Sequence, residues 1–173
     1  MVGILNQYSQ VDVNRMKIIR QLCPDKILTF HRAFDIITDK TKALLDLVEI
    51  GCDRLLTSGG ASSALEGIEE LRRCETVLSR AGIKVIAAAG INNENVNTII
   101  TSSGVRAVHA SSAVLDVVKS KATPLVPQVH DVRMGSIGAE SDTLQWKCVS
   151  VEKTKAFCTA ARNAWRGLET KHG

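Results

Sequence analysis

Short apolar runs alternate with longer amphipathic stretches along this chain, and that alternation constrains the fold more than any other feature. Strand-forming runs occur at Val2 to Leu5, Lys26 to Phe30, Arg54 to Thr57, Lys84 to Ala88 and Arg106 to His109. Between them, Val11 to Leu22, Asp39 to Ile50, Ser62 to Arg80 and Asn93 to Thr101 carry helical spacing; Ala43, Leu44, Leu47, Val48 and Ile50 share one side of the second. Each unit takes about 25 to 30 residues, the length of a βα repeat in a parallel sheet. The fold class is α/β. Gly51 and Gly82 stand where left-handed C-caps close helices, and Thr38 or Asp39, Ser62, and Asn92 or Asn93 stand where N-caps open them.

After His109 the rhythm breaks. Residues 110–145 hold serine, glycine and two prolines without a clear period and are expected to form a long irregular segment. Trp146 to Val149 reads as a strand, and Val151 to Leu168 as a C-terminal helix with Phe157, Ala160, Ala161, Ala164 and Trp165 seeking a partner surface. Residues 1–173 are expected to form one domain, because 173 residues with 45% hydrophobic content bury a real core.

The net charge of +4 arises from 22 basic and 18 acidic residues without long like-charged runs, and aromatics make up only 3%. That argues against a nucleic-acid partner. The five cysteines, Cys23, Cys52, Cys74, Cys148 and Cys158, are widely spaced and form no CxxC pair, which fits a reducing compartment better than a disulfide framework or zinc ribbon. No window approaches the roughly 18 apolar residues of a membrane helix, and the amino terminus does not read as a signal peptide. The expectation is a cytoplasmic protein without a membrane partner, a nuclear fraction being left open.

The strand ends collect polar groups in equivalent places: His31, Arg32 and Asp35; Thr57, Ser58, Gly59 and Gly60; Gly90, Asn92 and Asn93; His109, Ser111 and Ser112. In parallel sheets and barrels these carboxyl ends lie on one face, where loops build the site. Strand alternation turns Leu28 and Phe30 toward the helices and leaves Thr29 and His31 facing inward, with His109 on the same logic beside Ala107. Two imidazoles at a shared mouth suit acid–base work or ligation. His31, Asp35 and His109 are therefore the candidate catalytic residues.

Each feature also has a plainer reading. A strand-end histidine often serves only as a hydrogen-bonded structural residue. Ser58-Gly59-Gly60 makes either a tight turn or a pocket in which backbone N–H groups hold an anion, and Gly90 to Asn93 offers the same choice. Arg32 and Asp35 also read as a pair that serves only each other. As an anion pocket, Arg32, Ser58, Gly59, Gly60, Gly90, Ser111 and Ser112 would supply the donors.

These segments together resemble the CutC family of copper homeostasis proteins. The family's T-F-H-R-A-F-D matches Thr29 to Asp35, its L-T-S-G matches Leu56 to Gly59, and its S-A-L-E-G matches Ser63 to Gly67. The turn G-x-G-[IV] corresponds to Ala88 to Ile91, H-x-S to His109 to Ser111, and a short M-G motif to Met134-Gly135. The resemblance implies a TIM-like (β/α)8 barrel, a role in copper handling, and copper as a bound ion. It also marks two departures. Ala88 and Ala89 stand where family members carry glycines, and the chain resembles only the later part of a member, without the opening units whose cysteines are tied to copper(I) in the family.

A closed barrel of this type takes about 250 residues, so the expectation is an incomplete barrel of about five to six parallel strands. Open edges would favour self-association or a partner that covers them, or poor solubility. Copper(I) suits thiolate, thioether and imidazole ligands. Cys23 and Cys52 precede their strands, about 17 Å from the carboxyl ends, which leaves His31, His109 and Met134 as the candidate metal-facing residues. Cys52, Cys74 and Cys158 are expected to pack as small apolar groups. The competing reading is an enzyme for a small phosphorylated or carboxylated substrate, with Arg32 and the Ser/Gly turns holding the anion and His31 or Asp35 moving a proton.

Overall fold

The first helix begins where the sequence offers a cap. In the computed structural model, which describes residues 1–119 and 145–169, the Asp12 carboxylate accepts the Arg15 backbone N–H at 3.0 Å and opens α1 (Val13–Leu22). Asp39 does the same for α2 (Lys40–Ile50), accepting from Lys42 N–H at 2.9 Å, and Gly51 closes that helix with φ of 75°. The first strand expectation, Val2 to Leu5, reduces to two isolated bridges, Val2 parallel to Phe30 and Leu5 antiparallel to Val11. Asp12 N–H donates to the Ile4 carbonyl at 2.9 Å, so this segment turns back into α1 instead of extending along the sheet.

Strands β1 (Thr29–Phe30), β2 (Arg54–Thr57), β3 (Lys84–Ala87) and β4 (Ala107–Val108) form one parallel sheet in sequence order. The register sets Phe30 beside Leu55, Leu55 beside Val85, Thr57 beside Ala87, and Ala87 beside Val108. Those residues form the helix-covered face. Phe30, Leu55, Val85 and Ala87 are buried in one core with Leu44 and Leu47 of α2, Leu71, Cys74 and Leu78 of α3 (Ile68–Leu78), and Ile99 and Ile100 of α4 (Val96–Ser103). Burying each valine, leucine, isoleucine or phenylalanine among them contributes about 1.5–3 kcal/mol. The opposite face carries Thr29, Leu56, Ile86 and Ala107, which lie outside that core.

Three segments depart from the sequence expectation. Helix α3 starts at Ile68, not at Ser62, because residues 62–67 turn to lace the loop after β2; Gly67 N–H donates to the Ser63 carbonyl at 3.1 Å. Within the expected irregular segment 110–145, Ser112–Val114 forms a 3-10 turn and Leu115–Lys119 forms strand β5. Strand β6 (Gln145–Val149) pairs with β5 antiparallel, in a separate two-stranded sheet. Among the described residues the parallel set is therefore four strands, β5 and β6 pairing with each other in an antiparallel ladder, and the barrel is not closed.

The C-terminal helix α5 (Val151–Glu169) lies against α4 and buries Phe157, Ala161 and Ala164. Trp165 Nε1 donates to the Val105 carbonyl at 3.2 Å, tying this helix to the approach to β4. Ser150 N–H donates to the Val114 carbonyl at 2.8 Å, and Lys153 pairs with Asp116 at 2.6 Å, which fixes the ribbon to the helix start. Among the described residues, no helix is long and apolar enough to cross a membrane.

Candidate functional site

The segment Thr29 to Asp35 leaves the sheet as β1 and becomes a 3-10 turn (Arg32–Ile36) capped by His31. His31 Nδ1 accepts the Ala33 N–H at 3.1 Å. With Nδ1 accepting, the neutral ring carries its proton on Nε2 and offers a donor there; ligation of a cation through Nε2 requires giving up the Ala33 bond. The ring also explains Gly3. A Cβ at that position would stand 2.7 Å from His31 Nδ1, so only glycine leaves room for the imidazole.

One turn later, Asp35 becomes the centre of the mouth. Its Oδ1 accepts from the Thr57 hydroxyl, from Ser58 N–H at 3.1 Å and from Gly60 N–H at 3.2 Å. Its Oδ2 accepts from Arg32 Nε at 2.7 Å and lies 3.0 Å from Ser58 Oγ. The Ser58 hydroxyl also lies 2.7 Å from the Ala61 carbonyl and accepts from Arg32 Nη2 at 3.1 Å. The Asp35 side chain is only 8% exposed. Burial pushes its carboxyl pKa up, but the hydrogen bonds from Thr57, Arg32 and Ser58 outweigh it and hold the group below the usual aspartate value.

This arrangement changes how the anion pocket reads. The donors that a bound anion would need from Arg32, Ser58 and Gly60 converge on a carboxylate the chain itself supplies. The Ser58-Gly59-Gly60 turn is built for that purpose, with φ of 76° at Gly59 and 75° at Gly60, the left-handed region glycine enters freely. Gly59 N–H donates to the Thr57 hydroxyl oxygen at 2.9 Å. Behind the turn, a Cβ on Gly67 would stand 1.9 Å from the Ser58 carbonyl oxygen, so the backbones touch directly. Asp35 is thus a fully engaged hydrogen-bond acceptor in this structure, without a free lone pair aimed outward to take a proton.

The mouth extends one strand further. Ala64 N–H donates to the Ala89 carbonyl at 3.0 Å, linking the loops after β2 and β3. Ala89 adopts φ of 82° and Gly90 adopts 66°. Glycine is the residue that enters this region freely, so Ala89 carries strain there. Asn95 Nδ2 donates to the Gly90 carbonyl at 2.8 Å, and Asn92 accepts the Glu94 and Asn95 N–H groups at 2.9 and 3.1 Å.

His31 and His109 both follow the carboxyl ends of parallel strands of one sheet, but the strands are not neighbours. β1 and β4 are the outer strands of the four-stranded sheet. Along the sheet, three strand spacings, about 14 Å, lie between them. His109 is exposed, and its N–H donates to the Ala87 carbonyl at 2.8 Å. Ser111 and Ser112 are exposed beyond it, where the backbone enters the Ser112–Val114 turn. Met134 lies outside the described residues. Among the described residues, no three His, Cys, Asp or Glu side chains gather as a metal-ion set.

Thr57, one of the polar strand-end residues, closes the acceptor set of Asp35. Two contributors escaped the sequence reading: Gly67 admits the turn, and Lys40 fills the space beside Gly60, its Nζ donating to the Ile37 carbonyl at 2.8 Å. Gly67 belongs to a matched motif, so its signal was present; Lys40 had none. Away from the mouth, Cys52 and Cys74 are buried, and burial pushes their thiols up to about 11 and about 12. Cys158, expected to be buried, is half-buried, while Cys23 and Cys148 are exposed. An open cleft of about 370 Å³ beside the start of α1 is lined by Asn6, Gln10, Asp12, Asn14 and Lys42, and its lysine is already held by Asp46 at 2.7 Å.

The sequence model of the CutC family matches residues 1–114. A CutC family protein of Xylella fastidiosa is 33% identical over 155 residues, covering 89% of this chain and 53% of the relative. A CutC family protein of Photobacterium profundum is 30% identical over 161 residues, covering 93% and 62% respectively. Among solved structures, a Streptococcus agalactiae CutC protein named for copper homeostasis superposes with a TM-score of 0.58 at 26% identity, over 62% of this chain and 53% of that one. The chain spans about half the length of the curated relatives it matches.

Proposed function

Because the chain belongs to the CutC family, we propose that it serves in intracellular copper homeostasis, with copper ions as its cargo and the cytoplasm as its place of action. The observation that carries this reading is the family match over residues 1–114, which contains every element of the Asp35-centred mouth. Exposed, unpaired thiols at Cys23 and Cys148 suit a reducing compartment. In this portion His31, His109 and Met134 supply the imidazole and thioether groups that copper(I) accepts. The alternative of an enzyme for a small anion is not favoured, since Asp35 takes the donors of the Ser58 turn.

Copper(I) titration of the reduced protein against a chromogenic chelator tests the reading. Retention of copper in competition, weakened in His31→Ala, supports it. Transfer of all copper to the chelator, together with failure of the chain to restore copper tolerance in cells lacking a CutC-type protein, refutes it.

A further inference from the structure

We propose that Glu75 takes up a proton in the folded chain and so acts as a pH-sensitive latch on the seam between β3 and the segment leading into β4, where α5 docks. The proposal rests on the fold and is independent of the copper reading.

The seam lacks one rung. Ile86 stands beside Ala107 and His109 N–H donates to the Ala87 carbonyl, so the same parallel ladder, carried toward the amino ends, would join Val85 N–H to the Val105 carbonyl. Among the described residues that bond is not made. The Val105 carbonyl accepts the Trp165 indole N–H of α5 at 3.2 Å, and Val85 N–H is the backbone donor that acts on the Glu75 carboxylate of α3. Side chains from two helices thus stand in for a strand-to-strand bond. Val85 and Val105 are both buried, where backbone groups need protein partners.

Glu75 is imperfectly matched to this seam as an anion. Its Oε2 is buried and has no hydrogen-bond partner among the described residues. An ionised oxygen there loses its hydration without compensation, whereas a protonated one is neutral and becomes an O–H donor. A carbonyl accepts two bonds, and Trp165 takes only one of the Val105 pair, so the missing rung leaves an acceptor on the facing segment for that donor.

The surrounding charges do not neutralise the oxygen. Arg106, just before β4, and Lys84, the first residue of β3, favour ionisation, but both are exposed and neither forms an ion pair with Glu75 among the described residues. On α3 itself, Arg72 is held by Glu69 and the Ser102 carbonyl. Helix α4 carries no titratable side chain, and α5 brings the uncharged Trp165 to the seam. Burial outweighs Arg106, the Val85 N–H and Lys84, and pushes the Glu75 carboxyl above the usual glutamate value. A raised folded-state value gives stability that is present in acid, below the unfolded value of about 4.3, and is lost as pH rises through the folded value. Deprotonation leaves a bare oxygen in the seam. Local opening at the entry to β4 lets water reach it, and releases Trp165 and α5 in the same step.

Hydrogen exchange at residues 104–108 of the 173-residue chain, read by mass spectrometry and corrected for the intrinsic pH dependence of exchange, tests the latch. In the wild type, exchange there should quicken by about three- to tenfold between about pH 5 and about pH 7.5. Glu75→Gln keeps the shape and neutrality of the protonated acid, so its exchange should stay within about twofold over the same range. Infrared difference spectra should show a protonated-carboxyl band that the wild type loses over this range and Glu75→Gln lacks. Arg106→Gln, which also serves if Glu75→Gln does not fold, removes a cation that favours ionisation and should move both transitions to higher pH. Identical pH profiles in wild type and Glu75→Gln, exchange that quickens toward acid, or an Arg106→Gln profile that does not move would each overturn the proposal.

Discussion

Replacing Asp35 by alanine tests whether its carboxylate holds the mouth together. The substitution strands different donors to different degrees. Gly60 is exposed, so water takes over its N–H, and the half-exposed Arg32 guanidinium loses an ion pair worth about 0–1 kcal/mol. The Ser58 hydroxyl keeps the Ala61 carbonyl as an acceptor. Two donors remain without relief: the Thr57 hydroxyl and the Ser58 N–H, both on residues at 0% exposure. A buried donor left unsatisfied costs roughly 1–3 kcal/mol, so with two of them Asp35→Ala should destabilise by about 2–6 kcal/mol. Against a total stability of roughly 5–15 kcal/mol, that is a large fraction.

Urea unfolding followed by circular dichroism measures the loss. Thr57→Val supplies the internal check, because it removes one of the stranded donors. Its cost should therefore shrink, or change sign, in the Asp35→Ala background, giving a coupling of at least about 1 kcal/mol. Asp35→Asn replaces the alanine variant if the latter does not fold. A change within about 0.5 kcal/mol for Asp35→Ala, or strict additivity with Thr57→Val, refutes the idea that Asp35 is the organising acceptor.

Other consequences are directly measurable. Because the folded-state pKa of Asp35 is lowered, its stabilisation is present above the unfolded aspartate value of about 3.9 and is lost as pH falls through the folded value. The stability gap between wild type and Asp35→Ala should therefore narrow below about pH 4, and a gap that widens in acid contradicts the assignment. Ala89→Gly should stabilise by about 0.5–1 kcal/mol, relief of a left-handed alanine offset by added freedom in the unfolded chain; thermal melts that show a lower midpoint count against it. Gly67→Ala should destabilise far more than Gly82→Ala, since the first drives a Cβ into the Ser58 carbonyl and the second meets open space at φ of 73° with a cost of about 1–2 kcal/mol; equal midpoints in urea would be inconsistent with the close approach. A thiol reagent at pH 8 should modify Cys23 and Cys148 quickly and Cys52 and Cys74 only after unfolding, read by peptide mass mapping.

Local signals carried much of this fold, and distance-dependent ones carried the rest. Asp12, Asp39, Gly51 and Gly82 act as caps in the structure because capping involves groups within a few residues of each other. Ser62 does not open α3, because a contact between Gly67 and Ser58 diverts that segment. The strand β2 appears with the expected bounds, whereas β1 and β4 are each two residues long, since a strand's length depends on how much of a neighbour lies beside it. Strand β5 was missed although Leu115 and Val117 alternate with charge, because a partner thirty residues away makes it a strand.

By itself, the order of residues determined the βα rhythm, the helix ends at Asp39, Gly51 and Gly82, the family likeness and the clustering of polar groups at strand ends, all of which follow from periodicity and short-range chemistry. Only the tertiary structure decided that Asp35 fills the turn expected to hold an anion, that His31 and His109 stand at opposite borders of the sheet, and that the last two strands leave it for a ribbon. Those outcomes depend on which segments become neighbours, and neighbourhood is set by the joint burial of surfaces far apart in the chain.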